Sequence, residues 1–312
     1  MPDVDFSKPV LIYLANGVQG AAVARAALHQ GLQVRGLVRN PAHASALKAR
    51  GVQVVQADLF DPGSLVAASQ GASSAIIQLP MGTRDEMCAQ AAHAFNAAKI
   101  AGLSSVILKL ASASRTEPCE EPSFVANAIV EDIARRSGLL SAIVRPTMYL
   151  DNLLKPQLCA DLIERGIFAI PIAPHQRIAW TSTEDCAEAT IRLLIGSHAS
   201  GGDYRIAGPE GLTGEAMAGR ITAGLGRHVD FRSYPLDEFE RDLDEVMGPG
   251  TGRRIASKFR YFATHRDDAD AILAAPYSRT AELEGFVPTS VEAWIRRRRR
   301  TFLGDDASTE TR

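Results

Sequence analysis

Cysteine, net charge and long apolar runs are all scarce in this 312-residue sequence, and each shortage excludes a class of protein. The four cysteines (Cys88, Cys119, Cys159 and Cys186) are widely spaced and form no C-x-x-C pair, which argues against a zinc site and a disulfide scaffold. The formal net charge of -2 does not favour nucleic acid or an anionic membrane as a partner. No apolar run reaches the ~18 residues of a membrane span.

The first residues, MPDVDFSK, are polar and do not resemble a signal peptide. Together with the unpaired cysteines, they predict reduced thiols, no bound metal and a cytoplasmic location. With 46% hydrophobic and 22% charged residues, the composition is typical of an ordinary globular protein that buries a full core.

Short apolar runs alternate with segments of helical spacing through the first half of the chain. PVLIYL, QVRGLV, SSAIIQL and SSVILKL are rich in β-branched and apolar residues, while VQGAAVARAALHQ and PSFVANAIVEDIARRSG have helical spacing. The alternation predicts an α/β fold with a Rossmann-like, doubly wound parallel sheet. We predict this domain over residues 1–152.

After about Pro146 the alternation weakens, and a smaller, mostly helical C-terminal region is predicted over residues 153–312. A strand near residues 203–207 could return from it to the main sheet. Segments 41–50 and 151–166 are predicted as helices, and GPGTGRR (residues 248–254) as a mobile loop.

The stretch LIYLANGVQG, residues 11–20, has the placement of a dinucleotide-binding loop. Gly17 and Gly20 keep a G-x-x-G spacing between the first strand and a helix rich in small residues. Leu14 stands where the first glycine would be, and leucine does not easily take a positive φ, so we expect the turn to differ in detail. We predict that Ala15, Asn16, Gly17, Val18, Gln19 and Gly20 bind the pyrophosphate.

The end of the second strand indicates which dinucleotide is preferred. A free ribose is usually met there by an acid about 20 residues after the loop, and a 2′-phosphate by arginine. Here the strand ends GLVRNP, with Arg39 at that place. Its planar guanidinium suits a phosphate dianion, so we predict NADP(H) over NAD(H). The alternative is a solvated arginine without a ligand.

Several motifs in the same order resemble the NmrA-like group of atypical short-chain dehydrogenase/reductase proteins. They are VRGLVRNPAHASALKARGVQVVQADLFDPGSLVAASQG, VEDIARRSGLLSAIVRPTMYLDNLL, TSTEDCAEA, DYRIAGPEGLT and PTSVEAWIRRRRRTF. The resemblance covers nearly the whole chain. It implies an NADP(H)-binding Rossmann domain followed by a smaller substrate region.

The resemblance also implies particular cofactor contacts. Asp58 and Leu59 would lie beside the adenine, with a helix cap for DPGSL as the alternative role of Asp58. The ribose and diphosphate would contact Gln78, Leu79 and Pro80. The nicotinamide end would be lined by Ser112, Met148, Tyr149 and Leu150, although Tyr149 could equally be a core residue.

The superfamily's reductases use a Tyr-x-x-x-Lys pair, and this sequence departs from it. Aligned through Glu131, the tyrosine position falls on Ser123 and the lysine position on Asn127. Asparagine can hydrogen-bond the ribose but supplies no positive charge. Tyr149, Asn127 and Lys109 are the weak catalytic candidates that remain. Lys109 could project towards the cofactor or snorkel at a sheet edge.

Two functions are compatible with these residues. One is an NADPH-dependent reductase of a small apolar electrophile, such as a quinone or an aromatic carbonyl, and this hypothesis is favoured. The other is a non-catalytic NADP(H) sensor that contacts a protein partner. The five arginines from Arg296 to Arg300 would spread around a helix, so they do not predict nucleic-acid binding. Either a monomer or a homodimer fits the sequence, which does not identify the substrate.

Overall fold

The computed structural model describes residues 5–115, 121–196 and 201–303. Its strands are β1 (Val10–Ile12), β2 (Val34–Val38), β3 (Gln53–Gln56), β4 (Ser74–Ile77), β5 (Ser105–Lys109), β6 (Leu140–Pro146), β7 (Ile167–Ile170), β8 (Gly202–Ile206) and β9 (Asp230–Ser233). Its α-helices are α1 (Val18–His29), α2 (Ser45–Lys48), α3 (Pro62–Ser69), α4 (Arg84–Ile100), α5 (Pro122–Arg136), α6 (Pro156–Ala160), α7 (Thr183–Ile195), α8 (Gly214–Leu225), α9 (Leu236–Met247), α10 (Thr251–Thr264), α11 (Arg266–Ala269), α12 (Val291–Arg297) and α13 (Arg299–Leu303).

Seven strands form one sheet in the order β3-β2-β1-β4-β5-β6-β8, and every neighbouring pair is parallel. The predicted α/β fold with a doubly wound parallel sheet is therefore confirmed. The chain order reverses between β1 and β4, which makes the carboxyl ends of these two strands the topological switch point of the sheet.

The described chain divides into two compact units. The first contains Met1–Pro146, Thr183–Ile206 and Ser278–Phe286, and therefore the whole seven-stranded sheet. The second contains Thr147–Ser182, Ala207–Tyr277 and Val287–Arg312. The boundary at residue 152 that the sequence suggested stays a prediction.

The core of the first unit is made by the apolar strands and the helices that pack on them. Leu11, Ile77 and Leu108 are buried in the sheet, against Phe95 of α4 and Val130 of α5. Burial of one such side chain stabilises the fold by about 1.5–3 kcal/mol. These strands are apolar on both faces because helices cover the sheet on both sides.

An ion-pair network joins α5 to β6 and β8 in the first unit. Arg145 of β6 is 7% exposed; its guanidinium pairs with Glu131 of α5 and lies 3.1 Å from Asp203 of β8. Arg135 of α5 reaches the same Asp203 carboxylate at 2.7 Å. The network fixes the sheet edge at β8 to the helix that covers it.

The second unit contains a small parallel sheet of β7 and β9, which the sequence analysis did not predict. Phe168 of β7 packs edge-on against Trp180, with ring centroids 6.0 Å apart, and also touches Phe231 of β9. Gly214 at the start of α8 lies so close to Phe231 that a Cβ there would be 2.3 Å from the ring. The α8 helix therefore packs directly on β9.

Three local predictions were wrong. Segment 41–50 forms a 3₁₀ turn, Pro41–His43, followed by the short α2. Segment 151–166 is split before Pro156, because proline at the first helical position ends the preceding 3₁₀ turn at Leu154. GPGTGRR is not all loop, since α10 begins at Thr251 directly after Gly250.

Within the described part of the chain, Cys88, Cys159 and Cys186 form no disulfide bond, and Cys119 lies outside the described residues. Burial raises the pKa of the Cys88 and Cys159 thiols, which disfavours reactive thiolate. Among the residues that the structure describes, no helix is both long and apolar enough to cross a membrane.

Candidate functional site

The turn between β1 and α1 has an unusual residue at its centre, Leu14, with φ +53°. The amides on either side are held by the neighbouring strands: Tyr13 donates to the Ile76 carbonyl (3.2 Å) and Ala15 to the Leu37 carbonyl (3.1 Å). These two bonds force the residue between them into the left-handed region, at a conformational cost of about 1–3 kcal/mol. The expectation that leucine would avoid this conformation is wrong.

The two glycines allow the helix to start directly on this turn. A Cβ at Gly20 would lie 2.1 Å from the Leu14 carbonyl oxygen, so a larger residue cannot be accommodated without moving backbone. A Cβ at Gly17 would lie 3.3 Å from the same oxygen, which the Gly17 amide approaches at 2.9 Å. The close helix–strand approach of a dinucleotide loop is thus present without the first glycine.

The amino end of α1 is suited to an anion. Gly17 is its N-cap and offers no side-chain oxygen to the first amides, and the first turn contains no acidic residue. Unsatisfied amides and the helix dipole both favour negative charge at such an end. The side chain of Val18 there is 68% exposed.

Gln19 connects this first turn to the end of β5. Its Nε2 donates to the carbonyl oxygen of Ala111 (2.9 Å), and its Oε1 accepts from Lys109 Nζ (2.5 Å). Lys109 is 0% exposed and lies on a strand with β4 on one side and β6 on the other. It is not a snorkelling lysine at a sheet edge, so that alternative is wrong.

The end of β4 approaches the same turn from the other side of the switch point. Gln78 is buried and donates from Nε2 to the carbonyl oxygen of Tyr13 at 3.2 Å. Leu79 is buried and Pro80 is exposed. The structure therefore brings Gln78 together with the residue that precedes Leu14.

Arg39 follows directly on β2 and is exposed. Within the described ranges, no hydrogen bond or ion pair is recorded for its guanidinium. The next residue, Asn40, accepts from the Ala42 amide at 3.0 Å and caps the 3₁₀ turn. This strand end therefore presents a cation and no carboxylate.

Asp58 and Leu59 follow β3. Asp58 is exposed and its Oδ1 accepts from the amide of Phe60 at 2.9 Å. The cap of α3 is Asp61, which accepts from the amides of Gly63 (3.0 Å) and Ser64 (3.2 Å). The alternative role of Asp58 as the cap for DPGSL is therefore wrong.

A small cleft opens between the ends of β4 and β5 and the helices α4 and α5. It is lined by Leu79, Met87, Leu108, Lys109, Leu110, Ala111, Asn127 and Val130. Asn127 is 2% exposed, and its Nδ2 has no hydrogen-bond partner among the residues that the structure describes. A buried donor left unpaired costs about 1–3 kcal/mol, so an acceptor that entered this cleft would be stabilised by the Asn127 amide.

Ser112 and Ser123 lie near the ends of the elements that border this cleft. Ser112, half-buried after β5, donates to the sulfur of Met81 at 3.7 Å. Ser123, at the superfamily's tyrosine position, donates to the carboxylate of Glu121. Sequence reasoning missed Glu121, which caps α5 through the Phe124 amide (3.0 Å). An acid directly before Pro122 was the signal that could have found it.

Met148, Tyr149 and Leu150 belong to the second unit. Tyr149 forms a parallel bridge with Thr181: the Thr181 amide donates to the Met148 carbonyl (2.9 Å) and the Leu150 amide to the Thr181 carbonyl (2.7 Å). Tyr149 is 7% exposed and Leu150 is fully buried. Their contact with the nicotinamide end stays a prediction.

Within the described parts of the chain, no cluster of three or more His, Cys, Asp or Glu side chains is arranged to hold a metal ion. Apart from Asn127 in α5 and Lys109 in β5, the predicted site residues of the first unit follow the carboxyl ends of parallel strands. They are residues 15–20 after β1, Arg39 after β2, Asp58 and Leu59 after β3, Gln78 to Pro80 after β4 and Ser112 after β5.

A glycine turn and a helix amino end at the switch point of a doubly wound parallel sheet define the class of Rossmann-type folds. Within that class, the chain belongs to the NmrA-like family, whose pattern matches residues 7–295.

The chain is similar in sequence to two enzymes and similar in fold to a regulator. The chain is 26% identical to an NAD(P)H azoreductase of Xenophilus azovorans, over 77% of this chain and 82% of the relative. It is 29% identical to quinone oxidoreductase 2 of Escherichia coli K12, over 70% and 74% of the two chains. It also shares its fold with the solved structure of NmrA, a negative transcriptional regulator, in complex with NAD (TM-score 0.71, 20% identity, 93% and 94% coverage).

Proposed function

We propose that this protein is an NADPH-dependent reductase of a small apolar electrophile, a quinone or an aromatic carbonyl. The observation that carries the proposal is the turn from Leu14 to Gly20, which has the geometry of a dinucleotide loop although its first glycine is missing. The similarity to an azoreductase and a quinone oxidoreductase supports the reaction class.

The residues that follow the carboxyl ends of the strands fit a dinucleotide. The turn from Ala15 to Gly20 has no competing carboxylate, so it would hold the diphosphate through those of its amides that do not already donate to the carbonyls of Leu37 and Leu14. Arg39 would hold the 2′-phosphate, which is the reason to prefer NADP(H) over NAD(H). The buried Nδ2 of Asn127, which has no partner within the described ranges, would bind the ribose hydroxyls of the nicotinamide half.

The remaining contacts follow the order of the strands. Asp58 and Leu59 would lie beside the adenine, and Gln78, Leu79 and Pro80 beside the ribose and diphosphate. Ser112, Met148, Tyr149 and Leu150 would line the nicotinamide end.

NADPH, when bound, supplies the hydride, and the chain has to orient the reactants and let a proton reach the product. Ser123 is hydrogen-bonded to Glu121 and is a much weaker acid than a phenol, so it does not replace the superfamily's tyrosine. A quinone fits this arrangement because it needs less proton assistance than a ketone does. Tyr149 is the phenol that we propose for the nicotinamide end, on the basis of its place in the family motif.

The test is a titration of the purified protein with NADPH and with NADH, followed by nicotinamide fluorescence. We expect micromolar binding of NADPH and at least about tenfold weaker binding of NADH. Arg39→Gln should remove the difference. Arg50→Gln should keep it, because Arg50 is an exposed arginine that precedes the amino end of β3 rather than following a carboxyl end. Equal binding of the two dinucleotides by the wild type would refute the role of Arg39.

Turnover is tested separately, by oxidation of NADPH in the presence of quinones, aromatic aldehydes and enones. Steady turnover with at least one class supports the reductase.

A second candidate function is a non-catalytic NADP(H) sensor. The observation in its favour is that neither Ser123 nor Asn127 supplies the acid or the charge of the superfamily's active site. Tight NADPH binding with no oxidation by any acceptor would favour the sensor, and a protein partner would then be sought.

A further inference from the structure

We propose that Lys109 is a positioning residue for the cofactor: through Gln19 it fixes the first turn of α1, where the diphosphate would bind. This inference rests on the proposed function, because it explains how the dinucleotide turn is held in place. It assigns a role to a buried lysine that the hydride transfer itself does not use.

The burial of Lys109 calls for an explanation. Its side chain is 0% exposed at the end of a strand that has neighbours on both sides. An ammonium group is expensive to remove from water, and an apolar side chain of similar length would fill the same place without that expense. The ammonium group therefore has to contribute something that methionine cannot.

That contribution is a hydrogen bond across the switch region. Lys109 Nζ donates to Gln19 Oε1 at 2.5 Å, and the other end of the same amide donates to Ala111 at 2.9 Å. Gln19 is the second residue of α1, so its side chain acts on the first turn of this helix, where the diphosphate would bind. Two bonds from one side chain thus hold this turn against the end of β5.

The turn needs such support because it contains a strained residue and few buried contacts. Leu14 has φ +53°, and Asn16, Gly17 and Val18 are exposed. On the side of β4, Gln78 holds the carbonyl of Tyr13. On the side of β5, the bond between Lys109 and Gln19 fixes the start of the helix. Without the bond between Lys109 and Gln19, the strain at Leu14 would favour a different arrangement of the backbone amides of residues 15–20.

The experiment is a double-mutant cycle with Lys109→Met and Gln19→Leu, both close in size to the native residues. The readouts are the NADPH dissociation constant and the amide hydrogen exchange of residues 15–20 in the cofactor-free protein. We expect each single variant to raise the dissociation constant about tenfold. The NADPH dissociation constant of the double variant should be no higher than that of the single variant that binds more weakly. The reason is that both substitutions break the same hydrogen bond between Lys109 and Gln19.

The matched control is Lys99→Met, which makes the same substitution at an exposed position of α4. It should change neither NADPH affinity nor exchange. Additive losses in the cycle would overturn the proposal, because Lys109 would then act independently of Gln19. Unchanged affinity and exchange in Lys109→Met would overturn it as well.

Gln19→Met provides a second route if Lys109→Met does not fold, because it removes both bonds from a half-buried position. Native affinity and native exchange in that variant would contradict the proposal, and faster exchange with weaker binding would support it. Absence of NADPH and NADH binding in the wild type would refute the proposed function instead. The exchange measurement would still decide whether Lys109 and Gln19 order the turn.

Discussion

At the scale of single residues, the site depends on backbone approach more than on side-chain chemistry. Leu14 holds a conformation that glycine usually takes, and Gly20 leaves no room for a Cβ above the Leu14 carbonyl. Both features follow from hydrogen bonds that the neighbouring strands impose on Tyr13 and Ala15. The sheet therefore determines the shape of the turn.

Gly20→Ala is expected to destabilise the protein by about 3 kcal/mol, because the added methyl would overlap the Leu14 backbone. Weaker NADPH binding should accompany the loss. Chemical denaturation measures the first effect and fluorescence titration the second.

The matched control is Gly219→Ala in α8, where nothing lies within 4 Å of the new methyl group. That change should stabilise the protein by about 0.5–1 kcal/mol, through helix propensity. Equal effects of the two substitutions would contradict the packing argument at Gly20.

At the scale of secondary-structure elements, ion pairs connect the β8 edge of the main sheet to β6 and α5. Arg145 of β6 lies between Glu131 of α5 and Asp203 of β8, and it is almost fully buried. Removal of one partner from a buried pair leaves the other charge without compensation. The buried guanidinium of Arg145 therefore adds to the backbone pairing of β6 with β8, together with the pair between Arg135 and Asp203.

Arg145→Met should lower the free energy of unfolding by about 3 kcal/mol, as measured by urea denaturation, because Glu131 stays buried with only the more distant guanidinium of Arg135, at 3.9 Å, as a partner. Glu131→Leu combined with Arg145→Met should recover much of the loss.

Arg136→Met on α5 serves as the control, since its pair with Asp132 is exposed and worth about 1 kcal/mol or less. If Arg145→Met lowered the free energy of unfolding by only about 1 kcal/mol, the buried ion-pair network would contribute no more than an exposed pair, which would contradict the prediction.

At the scale of the whole molecule, cofactor binding should be visible as added stability. A ligand that binds only the native state at 100 times its dissociation constant adds about 2.7 kcal/mol to the free energy of unfolding. We expect NADPH at that excess to raise the Tm by several degrees in calorimetry, and NADH at the same concentration to raise it less.

The same comparison in Arg39→Gln should give similar shifts for the two dinucleotides. A Tm shift from NADPH that survives this substitution in full would assign the 2′-phosphate to other residues.

The fold of the sheet-bearing unit could be predicted because buried parallel strands are continuous apolar runs separated by amphipathic helices. β7 and β9 could not be predicted. β7 is a four-residue apolar run, which periodicity cannot distinguish from a helical turn, and β9 is largely solvent-exposed. Both become strands because they pair with each other across the fold.

The shape of the turn was predictable where a motif fixes spacing, as at Gly17 and Gly20, which begin α1. The roles of these residues and of Arg39 towards a cofactor stay predictions. The site was not predictable where the answer depends on neighbours in space. The position of Lys109 inside the sheet and the conformation of Leu14 both depend on strand order, which a single sequence does not specify.

β8 is synthesised well after β6, the strand with which it pairs, and this order has a consequence for synthesis on the ribosome. β6 ends at Pro146, while the strand that covers its outer edge begins only at Gly202, after a long stretch of the second unit. At translation rates of about 5–20 residues per second, the edge of β6 stays open for several seconds, with Arg145 lacking Asp203. An open strand edge is a template for association with other chains. We therefore expect the nascent chain, rather than the finished protein, to be the form that most needs a chaperone.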